Sequence, residues 1–73
     1  MSDLLIGKIV SISDLNIEVA LMKEQVKYRD ILYVQEDGKK HQMEVSEVSG
    51  SIAMCLPLES VIGLHKGMDV YSA

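Results

Sequence analysis

Asp14-Leu15-Asn16-Ile17-Glu18-Val19-Ala20-Leu21-Met22-Lys23-Glu24-Gln25-Val26-Lys27 is the stretch on which the fold turns. Leu15, Val19, Met22 and Val26 share one face of a helix, and Ala20 to Gln25 are good helix formers. Read the other way, Ile17, Val19 and Leu21 alternate with Glu18 and Ala20 as a half-buried strand requires. Locally the helix has a slight advantage. The rest of the chain reverses it, because five short strands alone would leave an open sheet edge of unpaired N–H and C=O groups. A sixth strand drawn from this stretch closes that edge. The expected fold is all-β: a small closed six-stranded antiparallel barrel with Greek-key-like order.

Outward from that stretch, turn signals recur at short intervals: Ser13-Asp14, Asp37-Gly38, Ser49-Gly50, Pro57, Gly63 and Gly67. Such spacing implies short strands. The first runs from about Leu5 to Ser13, with Ile6, Lys8, Val10 and Ile12 expected on one face and Gly7, Ile9 and Ser11 on the other. Asp30 to Gln35 is apolar on both faces. Asp37-Gly38 favours the positive backbone angles of a tight hairpin into His41 to Val48. There Met43 and Val45 alternate with Gln42, Glu44 and Ser46, the pattern of a sheet with one wet face. Ser49-Gly50 permits a reversal into Ser51 to Leu56. Beyond Pro57, which has no N–H for a ladder, Leu58 to Ile62 is expected to cross over as irregular chain or one helical turn. Met68 to Ser72 is the last strand, with Val70 inward and Asp69 outward.

Seventy-three residues allow one small domain, with a radius of gyration of roughly 11 Å. Hydrophobic residues make up 48% of the chain, which excludes disorder, and Phe and Trp are absent, so the core is aliphatic. A chain of this size buries only about 60% of its unfolded surface, and a neighbouring domain or subunit would add to that.

Chemistry finds little footing. Neither G-x-x-x-x-G-K-[ST] nor G-x-G-x-x-G occurs in the chain, so it contains no phosphate cradle. Seven Lys/Arg against eleven Asp/Glu give a net charge of −4, which removes the attraction that drives nucleic-acid binding. Tyr28, Tyr33 and Tyr71 read as too few and too separated for a base-stacking platform. Cys55 sits among Ala53, Met54 and Leu56 as a buried thiol, and His41 and His65 stand at no metal-ligand spacing from it. Asp14, Glu18, Glu44 and Glu47 read as outward strand or turn residues, with no base, nucleophile and orienting partner converging. No catalytic, metal or cofactor residue is assigned. Leu4-Leu5-Ile6 is too short for a signal peptide, and nothing approaches a membrane span of about 20 apolar residues. A cytoplasmic location, without direct membrane contact, is the expectation.

The opening Gly7-Lys8-Ile9-Val10-Ser11-Ile12, together with Met43-x-Val45, Ile52-Ala53-Met54-Cys55-Leu56 and Gly63-Leu64-x-x-Gly67-Met68-x-Val70-Tyr71, resembles the N-terminal barrel of hexameric rotary ATPases. This is the HAS-barrel family, which takes in ATP synthase headpiece subunits, flagellar and type III secretion ATPases, and hexameric DNA-pumping translocases. The resemblance runs from about Ile6 to Tyr71. Its most specific element, Gly63-Leu64 followed by Gly67-Met68-x-Val70, is similar to the "GLxRGMxV" ending of a beta-subunit barrel. Lys66 stands where that pattern often has Arg, and Ser72-Ala73 replaces the common Thr-Gly. Met22 to Arg29 is shorter than the proline-containing beta-subunit loop, while Pro57-Leu58-Glu59 is similar to the "MPLE" run of flagellar and secretion ATPases.

The resemblance implies that residues 1–73 are one barrel excised from the N-terminus of a larger ATPase subunit. It implies no hydrolysis in this domain, ATP and Mg being the business of the parent protein, and neighbouring barrels of a hexameric ring as partners. Gly7, Gly38, Gly63, Leu64, Gly67, Met68 and Val70 form the implied structural motif. The glycines would turn the chain tightly, Leu64 would plug one barrel end and Val70 would return to the core. Two rival readings are a translocase barrel that docks a nuclease or other effector and an unrelated small β-barrel binding module.

Overall fold

Six strands, β1 (Leu4–Ile12), β2 (Ile17–Leu21), β3 (Ile31–Glu36), β4 (Lys39–Ser49), β5 (Ile52–Pro57) and β6 (Asp69–Ser72), form a closed barrel in the order β1-β2-β5-β4-β3-β6. The structure is a computed structural model that describes residues 4–13, 15–22 and 26–72. Every neighbouring pair is antiparallel. Consecutive β3, β4 and β5, with β6 returning beside β3, make a Greek key. The radius of gyration is 10.7 Å.

The ambiguous stretch is a strand. Ile17 and Val19 are fully buried, whereas Leu15 and Met22, which the helical reading would put on the core face, are exposed. Pairing on both sides decides it: β2 lies between β1, with Ile9 opposite Val19, and β5, with Val19 opposite Ala53. Asp14, Lys23, Glu24 and Gln25 lie outside the described residues. The other strands match their expected positions to within one or two residues, and Leu58 to Ile62 crosses over as irregular chain.

One facing assignment is corrected. Ile6, Lys8, Val10 and Ile12 do not share a face: Ile6 and Ile9 are buried while Lys8 and Val10 are exposed. Two β-bulges are the cause. The register against β6 shifts between Leu5 and Gly7, and that against β2 shifts between Ile9 and Ser11. Each extra residue breaks the period of two and bends the strand, so β1 can wrap round the barrel and still point Ile6, Ile9 and Ile12 towards its interior. A third bulge, on β4 between Val45 and Glu47, is tied down by the Ser46 hydroxyl, which donates to the Met54 carbonyl at 3.1 Å.

Two hairpins have two-residue loops. Glu36 pairs with Lys39 across Asp37 (φ 49°) and Gly38 (φ 78°), both positive as a type I′ turn demands. Ser49 pairs with Ile52 across Gly50 and Ser51, with Gly50 at φ 60°. A Cβ on Gly38 would meet nothing within 4 Å. The expected cost of Gly38→Ala is therefore conformational alone, about 1 kcal/mol, read as a shift of the urea midpoint at unchanged slope.

The core is aliphatic, with Leu32, Met43, Val45 and Val70 fully buried beside Ile9, Ile17 and Val19. Cys55 is part of it, and burial pushes its thiol up to about 12 from 9.0. A thiol raised in the folded state contributes stability below its unfolded value and loses it between about pH 9 and 12, as the unfolded chain alone sheds the proton. Native Cys55 is therefore expected to resist a thiol-alkylating reagent near pH 8. It should react only at the rate of global opening, so labelling followed by mass spectrometry with and without urea checks its burial.

Candidate interaction surface

The motif residues gather mainly at the seam where the first and last strands meet. Gly7 of β1 stands opposite Val70 of β6, whose side chain is fully buried. The Gly67 N–H donates to the Ile9 carbonyl at 2.8 Å, and the Ile9 N–H donates to the Met68 carbonyl at 3.0 Å, which extends the ladder into the strap before β6. Leu64 and Met68 pack against the core. Gly63 (φ 95°) passes so close to the Glu36 carboxylate that a Cβ would strike it, and Glu36 also lies 3.4 Å from His41 Nε2. Gly38 stands apart, at the tip of the hairpin that Glu36 opens.

No convergent chemistry accompanies this seam. Among the described residues no group of three or more His, Cys, Asp or Glu side chains could hold a metal ion, and no helix is long and apolar enough to cross a membrane. What the barrel presents is its outer wall. Closure pairs each strand on both sides, so outward side chains rather than bare strand edges must make any contact.

Two regions of that wall depart from a wet sheet face. The first lies over β2, β5 and β4, where a groove of about 250 Å³ is lined by Ile52, Met54, Glu18, Glu47 and Ser49. Register explains it: Met54 of β5 stands between Glu18 and Glu47, and Ile52 between Ala20 and Ser49. The β4 bulge, by inserting Ser46, brings Glu47 into this row. An apolar floor is thus flanked by two carboxylates, neither ion-paired among the described residues.

The second region lies over β6 and β3, and here the wall is already covered, Tyr33 being only 5% exposed. Leu5, Tyr71, Tyr33 and Gln42 run as one row across four strands. Tyr33 and Tyr71 stack with centroids 5.6 Å apart, and Lys40 Nζ lies 4.6 Å from the Tyr33 centroid. This corrects the reading of the tyrosines as separated: 38 residues apart in sequence (71 − 33), they are neighbours because β6 returns beside β3. Tyr28 does stand alone, exposed with Arg29 beside its ring. Beside the aromatic patch Lys8 of β1 pairs with Asp69 of β6 at 2.8 Å, and the hydrogen bond to Asp69 raises the Lys8 ammonium above its ordinary value.

Sequence reasoning missed the groove although a signal was present. Ile52-Ala53-Met54-Cys55-Leu56 is apolar at every position, so β5 has apolar side chains on its outer face as well as its inner one, which a barrel strand facing water does not need.

No protein family matches the sequence, and no curated protein does. Among solved structures the barrel is similar to the assembled ATPase EscN of the enteropathogenic E. coli type III secretion system. The TM-score is 0.75 at 25% sequence identity. The match covers 92% of this chain and 15% of that one. The resemblance to an ATPase barrel domain thus holds for the three-dimensional structure. The matched structure belongs to the secretion branch to which Pro57-Leu58-Glu59 pointed. A chain that spans about 15% of such an ATPase is too small to hold a full ATPase fold.

Proposed function

We propose that this chain is the non-catalytic N-terminal barrel of a hexameric ATPase of the flagellar and secretion type, and that it assembles and stiffens the ring of that enzyme. One observation carries the reading: nearly the whole barrel superposes on a small fraction of a secretion ATPase, at a sequence identity that extends the likeness beyond shape. Neighbouring barrels of the same or a homologous subunit are the partners. ATP and Mg belong to the rest of the parent protein, which works in the cytoplasm beside a membrane complex. Six barrels in a cyclic array would bury outer-wall surface that a 73-residue unit cannot bury by itself. A closed wall in which every strand is paired on both sides deforms little under the uneven strain of nucleotide domains opening and closing.

The test is the polypeptide encoded beyond Ala73. A P-loop, G-x-x-x-x-G-K-[ST], is expected downstream, and removing residues 1–73 from that parent should abolish ring assembly while each subunit still binds ATP. A coding sequence that stops after Ala73, or a parent that assembles unchanged without the barrel, overturns the proposal.

A further inference from the structure

We infer that the acidic groove over β5 of one barrel receives the exposed corner of the β5–β6 crossing of a second copy, with Ile62 on the apolar floor and Lys66 between the two carboxylates. The inference rests on the ring reading above and deepens it by naming the surfaces through which barrels would meet. At about 250 Å³ the groove falls below the roughly 300–1,000 Å³ of a small-molecule site and suits one or two side chains instead. Met54 and Ile52 make its floor apolar, so the entering group should be aliphatic. Glu18 and Glu47 have no ion pair among the described residues, so the entering segment should also carry a cation.

The crossing, residues 58–68, offers both. Val61 and Leu64 pack against the core and anchor it, and the Leu64 N–H donates to the Val61 carbonyl at 3.1 Å. Ile62 stands at the corner of that turn, 82% exposed, the most exposed large hydrophobic side chain among the described residues. A second turn, in which the Met68 N–H donates to the His65 carbonyl at 3.4 Å, puts Lys66 at its own corner. Lys66 is exposed and has no ion pair among the described residues. Glu59, the one carboxylate of the crossing, lies at its β5 end.

The topology keeps this corner away from the groove of its own barrel. Gly63, beside Ile62, stands against Glu36 of β3, and Gly67, beside Lys66, donates to the Ile9 carbonyl of β1. Both β3 and β1 lie two strands from β5 round the closed wall. The contact is therefore between unlike faces of two copies. It leaves each copy with one of each face open and propagates into a ring or a filament. Like faces do not match, since groove against groove would bring four carboxylates together. The net charge of −4 is a weak obstacle at physiological salt, where the Debye length is about 8 Å and charges away from the contact are screened.

Sedimentation of the 73-residue chain at physiological salt and roughly millimolar concentration should show association. Ile62→Ser removes the buried aliphatic group and should weaken it at least about tenfold. Lys66→Glu on the crossing and Glu18→Lys/Glu47→Lys on the groove should each abolish it over the same range, because each sets like charges face to face. An equimolar mixture of those two variants should associate again, since every reversed face then meets an opposite one. A carbodiimide on a mixture of isotope-labelled and unlabelled native chains should couple Lys66 of one copy to Glu18 or Glu47 of another; this readout needs no variant to fold. A native chain that stays monomeric, variants that associate like the native chain, a mixture that stays monomeric, or cross-links confined to one copy would each overturn the inference. None of those outcomes touches the ring reading, which is decided on the parent protein.

Discussion

Replacing Gly7 with alanine is expected to remove roughly 3–5 kcal/mol of the barrel's stability. An added Cβ would be driven into the Ala20 carbonyl oxygen and would lie within 3.2 Å of the Leu21 Cα. Both atoms are backbone, and neither can retreat: β2 is paired to β1 on one side and to β5 on the other, with Ala20 opposite Lys8 and Ile52. Relief therefore requires parting the β1–β2 ladder, which exposes buried amide groups and loosens Ile9 against Val19. Overpacking of about 1–3 kcal/mol and lost ladder hydrogen bonds of about 1 kcal/mol each sum to roughly 3–5 kcal/mol. A domain of this length has about 4–11 kcal/mol in all. Circular dichroism through a urea titration measures it, and a Gly7→Ala barrel within about 1 kcal/mol of the parent would show that β1 and β2 do not approach so closely. Gly38→Ala is the internal control, since it removes a glycine with no such neighbour.

Ile17→Ala should cost about 3 kcal/mol, and Glu18→Ala, one residue on, should stay within about 0.5 kcal/mol. The contrast follows from strand phase: Ile17 is fully buried opposite Cys55, whereas Glu18 is on the outer wall. Leu15→Ala is expected to change stability by no more than Glu18→Ala, because Leu15 is 74% exposed. A helix over the same residues would place Leu15 and Met22 together on the buried face and reverse that ranking. Urea midpoints for the three variants decide between the two phases; a Leu15→Ala loss equal to that of Ile17→Ala would sink the strand.

The same stretch shows why part of this fold was legible in the sequence and part was not. Turn chemistry carried its own geometry: Asp37-Gly38 and Ser49-Gly50 define hairpins almost without reference to the rest of the chain. Residues 14–27 carried two periods at once, and only the need to close the sheet chose between them. Bulges left no mark, since the extra residues Ile6 and Val10 belong to an ordinary aliphatic run. For that reason alternation gave Lys8 and Val10 the wrong companions. The outer surfaces were hidden for a different reason. Tyr33 meets Tyr71, and Glu18 meets Glu47 across Met54, only through pairing of strands remote in sequence. The apolar outer face of β5 was the one visible hint of that surface.

β6 is the staple between β1 and β3, with Leu5 and Leu32 opposite Tyr71 and Ser72 at either side of it. On the ribosome, then, the first strand to emerge must wait for the last four residues of the sheet, and until they arrive two rows of amides lie open to any passing chain. Pairing between strands so far apart in sequence is among the slowest kinds to find. The window between translation of Leu4 and of Ser72 is accordingly when a chaperone, or a sister barrel emerging alongside, would matter most to this molecule.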